Sequence, residues 1–385
     1  MPYVSPHAWV CAGAQQLPLT VSTPAKYIYD ERSKLIQAVP ANALGWGAPQ
    51  EPARTNLALR SSALNTSPWD LNADASIVTE GYATAPDGTE TACRVADNPA
   101  NSNSPWLLQP ITGVAGQKVT VSAWIKLLAV EDVYIGIWDD VTGWQQTDIT
   151  SQCSTTDWTR VSTAFTFNAG ATSTQVGITI GTAAARDFLI WGFQAEAGAY
   201  PTSYIPTTTA GVARAADALR CINAGVFGPL ANEGSLLAVW DLPWISSTYG
   251  TSQFLYALNS AGGANERVTH LFGATGILSA VVTSGGAGQT SIDPGLGAGF
   301  SARLMATCTT WRKDRVAFSA NGAAPVVDTS ATMPAALDRL EIGGTNAAST
   351  RPGLPFYLVA AFSRALQDHE ARALTSNPEA LKWAS

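Results

Sequence analysis

The chain has 385 residues, 22 Lys and Arg against 29 Asp and Glu, a net charge of −7 and only 13% charged residues. That length accommodates two domains, and an acidic chain without a basic block excludes a surface built to neutralise nucleic-acid phosphates. The 46% hydrophobic content marks a packed chain rather than a disordered one, and no stretch approaches the run of about 18 apolar residues that a membrane helix needs.

Residues 1–50 read as an extended arm, with six prolines and little sustained periodicity. Met1 to Ala14 lacks the basic start and continuous apolar run of a secretory signal. A hairpin is predicted over Ala25 to Val39, where Tyr27, Ile28 and Tyr29 precede turn chemistry at Asp30 to Ser33 and alternation resumes at Leu35, Gln37 and Val39. Trp9 and Trp46 lie in loop-like sequence and, with Trp383 near the C-terminus, are candidate assembly contacts. The arm packs either on a neighbouring subunit or as a strap over its own domain.

Residues 51–209 read as an antiparallel β-sandwich. Strands are predicted at Thr55 to Arg60, Ile77 to Ala83, Glu90 to Val95, Ser104 to Gln109, Gln117 to Leu127, Asp132 to Asp139, Thr159 to Phe167, Thr174 to Ile180 and Asp187 to Phe193. Turn signals at Ala85 to Gly88, Gly113 to Gln117 and Asn168 to Ser173 separate them. Val119, Val121, Ala123 and Ile125 form one face of their strand, and Trp124 stands on the other. In the next strand Val133, Ile135 and Ile137 oppose Tyr134, Gly136 and Trp138, which leans Trp138 outward. Pro201, Pro206 and Thr207 to Thr209 hold an extended strap. Residues 210–218 link it to a second sandwich, residues 219–385. Strands are predicted there at Gly234 to Trp240, Ser252 to Asn259, Arg267 to Phe272, Ile277 to Thr283, Phe300 to Thr309, Arg315 to Ala320, Arg339 to Gly343 and Gly353 to Phe362. A tight turn falls at Ala320 to Gly322, and a helix over Asp368 to Leu374 has Asp368 as N-cap, with Ser376 to Pro378 ending it.

Two phrases, EPARTNLALRSS from Glu51 to Ser62 and FLIWGFQAEAGAYPTSYIPTTTAGVARAAD from Phe188 to Asp217, resemble the opening and closing of a module found in tailed-bacteriophage tail and virion proteins. The segment after Arg339, with EIGG followed by RALQDHEARAL, resembles the concanavalin A-like, laminin-G-like jelly roll. Together the resemblances imply an all-β protein of two jelly-roll domains in tandem, the first similar to carbohydrate-binding modules. They imply a virion fibre or appendage subunit, assembled in the host cytoplasm as a homo-oligomer, with a trimer expected. Its partners would be collar, tail or capsid proteins and host-surface polysaccharide. The alternatives are a decoration or cement protein that binds no sugar, and an accessory carbohydrate-binding protein of a polysaccharide-processing system.

Catalytic arrangements are not found in the sequence. His7, His270 and His369 have no paired-ligand spacing, and no GxSxG elbow, P-loop or paired-carboxylate strand occurs, so a non-enzyme without a cofactor is expected. Cys11, Cys93, Cys153, Cys221 and Cys308 are too scattered for a disulfide framework or a zinc site. Binding has a better candidate in IWDDVTGW: Trp138 and Trp144 offer flat apolar faces to sugar rings, and Asp139, Asp140 and Gln145 offer polar groups to hydroxyls. The competing reading is an inward Trp138 and an acidic pair that solvates a hairpin tip. Jelly-roll carbohydrate modules also hold structural calcium, for which Asp139, Asp187 and Glu196 are the candidates. The alternation Gly192, Gln194, Glu196 otherwise reads as the charged guard of a strand edge.

Overall fold

Alternating branched and polar residues set the strands of this protein. A computed structural model describes residues 10–383 except 13–14, 17–19, 23–24, 31–33, 42–48, 71–75, 98–105, 129–131, 181–186, 223, 243–251, 261–262, 297–303 and 345–351. The fold is all-β, with antiparallel pairing throughout most of its sheets and short helices after the last strand. Two compact units result. One is built from Lys26–Ala38 and Arg54–Arg214, the other from the described parts of Met1–Ala25, Val39–Ala53 and Ala215–Ser385.

The first unit contains β1 (Ser76–Ala83), β2 (Ala92–Asp97), β3 (Trp106–Ile111), β4 (Lys118–Leu127), β5 (Val133–Asp139), β6 (Gly143–Asp148), β7 (Thr159–Thr166), β8 (Thr174–Ile180) and β9 (Asp187–Ala197). A five-stranded sheet runs in the order β7-β4-β9-β2-β1, and a four-stranded sheet in the order β3-β8-β5-β6. Between them lie Val121 and Ile125 of β4, Ile135 and Ile137 of β5, and Phe188, Ile190 and Phe193 of β9, all fully buried. Each such side chain contributes about 1.5–3 kcal/mol relative to exposure. Strand β6 was not expected, because GWQQTD lacks branched alternation and forms an edge strand that stays half open along its length.

A bulge in β9 explains its irregular sequence. Ser122 pairs with Gln194 but Trp124 pairs with Trp191, so β9 holds one extra residue, Gly192, at φ 67°. The bulge puts Trp191 and Gln194 on the same outer face while Ile190 and Phe193 both face the core. On that outer face Trp124, Trp191 and Tyr204 meet, with ring centroids 4.6–5.8 Å apart. The proline-rich strap therefore crosses the five-stranded sheet and covers Trp124.

Polar side chains fix the strap. Gln194 Oε1 accepts from Ile205 N at 2.7 Å, and Glu196 Oε2 accepts from Thr202 N at 2.9 Å. Gln194 and Glu196 are fully buried in a strand flanked by β4 and β2, which corrects the expected edge guard: their alternation serves the strap. The predicted strand at Thr55 to Arg60 is extended only over Arg54–Asn56, which pairs with Val212–Arg214. There Asn56 is fully buried; Oδ1 accepts from Ala58 N and Ala195 N, and Nδ2 donates to Phe193 O and Ile205 O. Both phrases of the sequence thus meet at one amide.

The arm does not stand apart. Lys26–Asp30 and Leu35–Val39 form the expected hairpin, whose Tyr27 bridges Tyr204 and whose Ile36 packs beside Trp124 and Trp191. In the second unit Val10–Ala12 pairs in parallel with Val359–Ala361, and Thr20–Ser22 pairs antiparallel with Ala218–Arg220. These pieces are built into the sheets of their own chain. Trp9 and Trp46 lie outside the described residues, and Trp383 ends the helix Pro378–Trp383.

The second unit pairs an eight-stranded sheet with a seven-stranded one around Trp240, Tyr256, Phe272, Trp311 and Phe318. Asn321 (φ 46°) and Gly322 (φ 77°) make the expected turn. The helix Asp368–Thr375 is capped by Gln367 rather than Asp368: Gln367 is extended, and its N–H donates to Glu370 Oε2 at 2.8 Å. Asp368 instead pairs with Arg315. Pro378, expected as a terminator, opens the second short helix, a position where its missing N–H has no partner to lose.

Candidate functional site

Strands β5 and β6 form a hairpin in which Trp138 lies directly opposite Trp144. The core takes Val133, Ile135 and Ile137, so period two sends Tyr134, Gly136 and Trp138 to the outer face of the four-stranded sheet. Trp138 is half-buried and Trp144 is 41% exposed. Register extends this pair into a stripe across the sheet, because Trp138 also pairs with Gln175 of β8, and Gln175 with the exposed Pro110 of β3. In the next row Gly136 lies between Gly177 and Gln146, and in the third Tyr134 lies beside Asp148. The glycines are required: an added Cβ would stand 2.6 Å from Gln145 O at Gly136 and 2.1 Å from Leu107 O at Gly177.

The carboxylates of the hairpin are committed elsewhere. Asp139 is fully buried on the opposite face, where Oδ1 accepts from Val141 N and Thr142 N and Oδ2 accepts from Asn168 N. Burial pushes this carboxyl up, but the N–H groups of Thr142, Asn168 and Val141 outweigh it and hold it below its ordinary range. Asp140 accepts from the Thr172 hydroxyl and from Thr172 N and Ser173 N, and those bonds lower it too. Both clamp the hairpin tip to the loop after β7, so neither meets the stripe as a free acceptor. Gln145, paired with Ile137, reaches Thr166 O at 3.3 Å and stands off the outer face. Of the five residues singled out in IWDDVTGW and its flank, only the two tryptophans share the surface. Tyr134, on the face of Trp138 by period two, and Gln146, Gln175 and Asp148 complete it; Gln175 and Asp148 could have been found only with the register known.

The calcium candidates are not brought together. Asp187 pairs through both oxygens with Arg94, at 2.6 Å each, at the start of β9. Glu196 holds Gln194 and Thr202 at its other end. Asp139 belongs to the other sheet, and among the described residues no group of three His, Cys, Asp or Glu could hold a metal ion. Cys93, Cys153, Cys221 and Cys308 are free thiols.

No family model matches the chain, and no curated protein does. Among solved structures, a Ruminococcus gnavus intramolecular trans-sialidase CBM40 is 16% identical, with a TM-score of 0.30 over 38% of this chain and 84% of that one. A heptameric SAP-like pentraxin of Limulus polyphemus is 13% identical, with a TM-score of 0.28 over 37% and 68%. The CBM22-1 xylan-binding domain of Paenibacillus barcinonensis Xyn10C is 12% identical, with a TM-score of 0.27 over 39% and 97%.

Proposed function

We propose that this chain is a non-enzymatic glycan-binding protein whose platform is the outer face of the four-stranded sheet in the first unit. The observation that carries the reading is the cross-strand pair of half-buried Trp138 and exposed Trp144, beside the amides of Gln175 and Gln146. Indole faces cover the apolar side of a sugar ring, while amides both donate to and accept from its hydroxyls. Covering about 60 Å² of apolar surface per ring corresponds to about 1.5 kcal/mol, or roughly tenfold in affinity. Titration of host-surface polysaccharide fragments by calorimetry tests the platform. Trp138→Ala and Trp144→Ala should each weaken binding about tenfold in a chain that remains folded by circular dichroism; undiminished binding in both variants rejects it.

The paired phrases that meet at Asn56 support a place for this protein on a tailed-phage particle as an appendage subunit, assembled in the host cytoplasm. A homo-oligomer is then expected, with three copies the preferred number. Mass photometry at micromolar concentration tests this, and a stable monomer counts against it.

A further inference from the structure

The chemistry of the platform separates two classes of sugar chain. Of the outer-face positions of β3, β8, β5 and β6, only Tyr134 and Asp148 are ionisable, and none of the described ones is Lys or Arg. Asp148 is exposed at the end of β6; Oδ1 accepts from Thr150 N at 2.9 Å, and Oδ2 has no partner among the described residues. The polar groups that share this face with the tryptophans are the amides of Gln146 and Gln175 and the Tyr134 hydroxyl.

Building on the platform reading, we propose that this face takes an uncharged polysaccharide chain and that Asp148 is a specificity-determining residue that turns away acidic sugars. A uronate or sialate carboxylate stacked here would find no cation to answer it and would lie beside a carboxylate of the protein. Anionic sugars are normally met by bidentate Arg, which this surface does not offer. Neutral hydroxyls, in contrast, match amides and a phenol. The repulsion acts through water, so it is a discrimination of several-fold that weakens with salt rather than an absolute barrier.

The experiment compares neutral oligosaccharides (xylan, mannan and mixed-linkage glucan fragments) with oligogalacturonate and oligosialic acid, by calorimetry with the full chain at low and moderate salt. The neutral class should bind, and the acidic class should bind several-fold more weakly, with the gap narrowing at moderate salt. Asp148→Asn keeps an acceptor for Thr150 N and should raise the affinity for acidic chains about threefold, and Asp148→Lys about tenfold, both shrinking with added salt. The readout is the ratio of acidic to neutral affinity in each variant, which should rise in both; a ratio that stays at the wild-type value in both would overturn the role of Asp148. Acidic chains bound as well as neutral ones, with loss in Trp138→Ala, would overturn this inference while leaving the platform intact. Binding indifferent to Trp138→Ala and Trp144→Ala, or no binding by either class, would reject the platform and this inference with it.

Discussion

His270 should make the second unit sensitive to acid. The ring is fully buried, tilted against the Tyr256 ring at 5.0 Å and edge-to-face with the Phe318 ring at 4.3 Å, with Nδ1 3.4 Å from Thr307 Oγ1 and Nε2 without a partner among the described residues. Nothing there welcomes an imidazolium, and burial pushes its pKa down to about 3. In the unfolded chain the ring titrates near its ordinary value of about 6.5. The native state therefore binds fewer protons than the unfolded state between those values, so stability is full above about pH 6.5 and falls as the pH drops. Taken to about pH 5, the loss is about 1.4 kcal/mol for each of about 1.5 pH units, or about 2 kcal/mol. Equilibrium urea unfolding at about pH 7 and about pH 5 should show this difference, and His270→Phe, which preserves ring volume, should remove it. A folded-state NMR titration of His270 with a midpoint near the ordinary value, or an unchanged pH slope in the variant, would refute the reasoning.

Further outcomes follow from individual side chains. Asn56→Ala strands two buried N–H groups and two buried carbonyls and should destabilise the first unit by about 3 kcal/mol or more in chemical denaturation; Asn56→Asp, which sets a buried carboxylate oxygen against the carbonyls of Phe193 and Ile205, should cost at least as much. Gly192→Ala places a Cβ 2.9 Å from Trp124 Cε3 at a left-handed position, and should lower stability by about 1–3 kcal/mol, read from the thermal midpoint. Because the folded Asp139 carboxyl lies below its ordinary range, its contribution is full above about pH 4 and is lost as the pH falls further; Asp139→Asn should flatten acid unfolding in that range. The Cys308 thiol, pushed up to about 12 by burial, should resist alkylation by iodoacetamide until the chain is unfolded.

Strand positions were legible in the sequence because branched residues alternate where one face is core, as in Val133, Ile135 and Ile137. Local periodicity says nothing of partners, however. The edge strand Gly143–Asp148 has no apolar rhythm to betray it, and Gly192 breaks the rhythm of β9 by inserting a residue. Asp139 and Asp140 look like ligands in a string of letters, since the N–H groups that engage them come from residues up to 33 positions away. Asn56 is similar: its bonds to Phe193 and Ile205 span 137 and 149 residues, and only folding places them in reach. Trp138 and Trp144 could be recognised as neighbours because a hairpin joins them.

The pairing of Arg54–Asn56 with Val212–Arg214 means that the polypeptide enters and leaves the body of the first sandwich at adjacent points. A segment closed in this way has ends close enough to rejoin, and the hairpin of Lys26–Asp30 and Leu35–Val39 would have to travel with it, because Ile36 packs beside Trp124 and Trp191. Its outer sheet carries substitutions at little cost to the closure, because the two boundary phrases are tied to each other through the buried hydrogen bonds of Asn56 and not through that sheet.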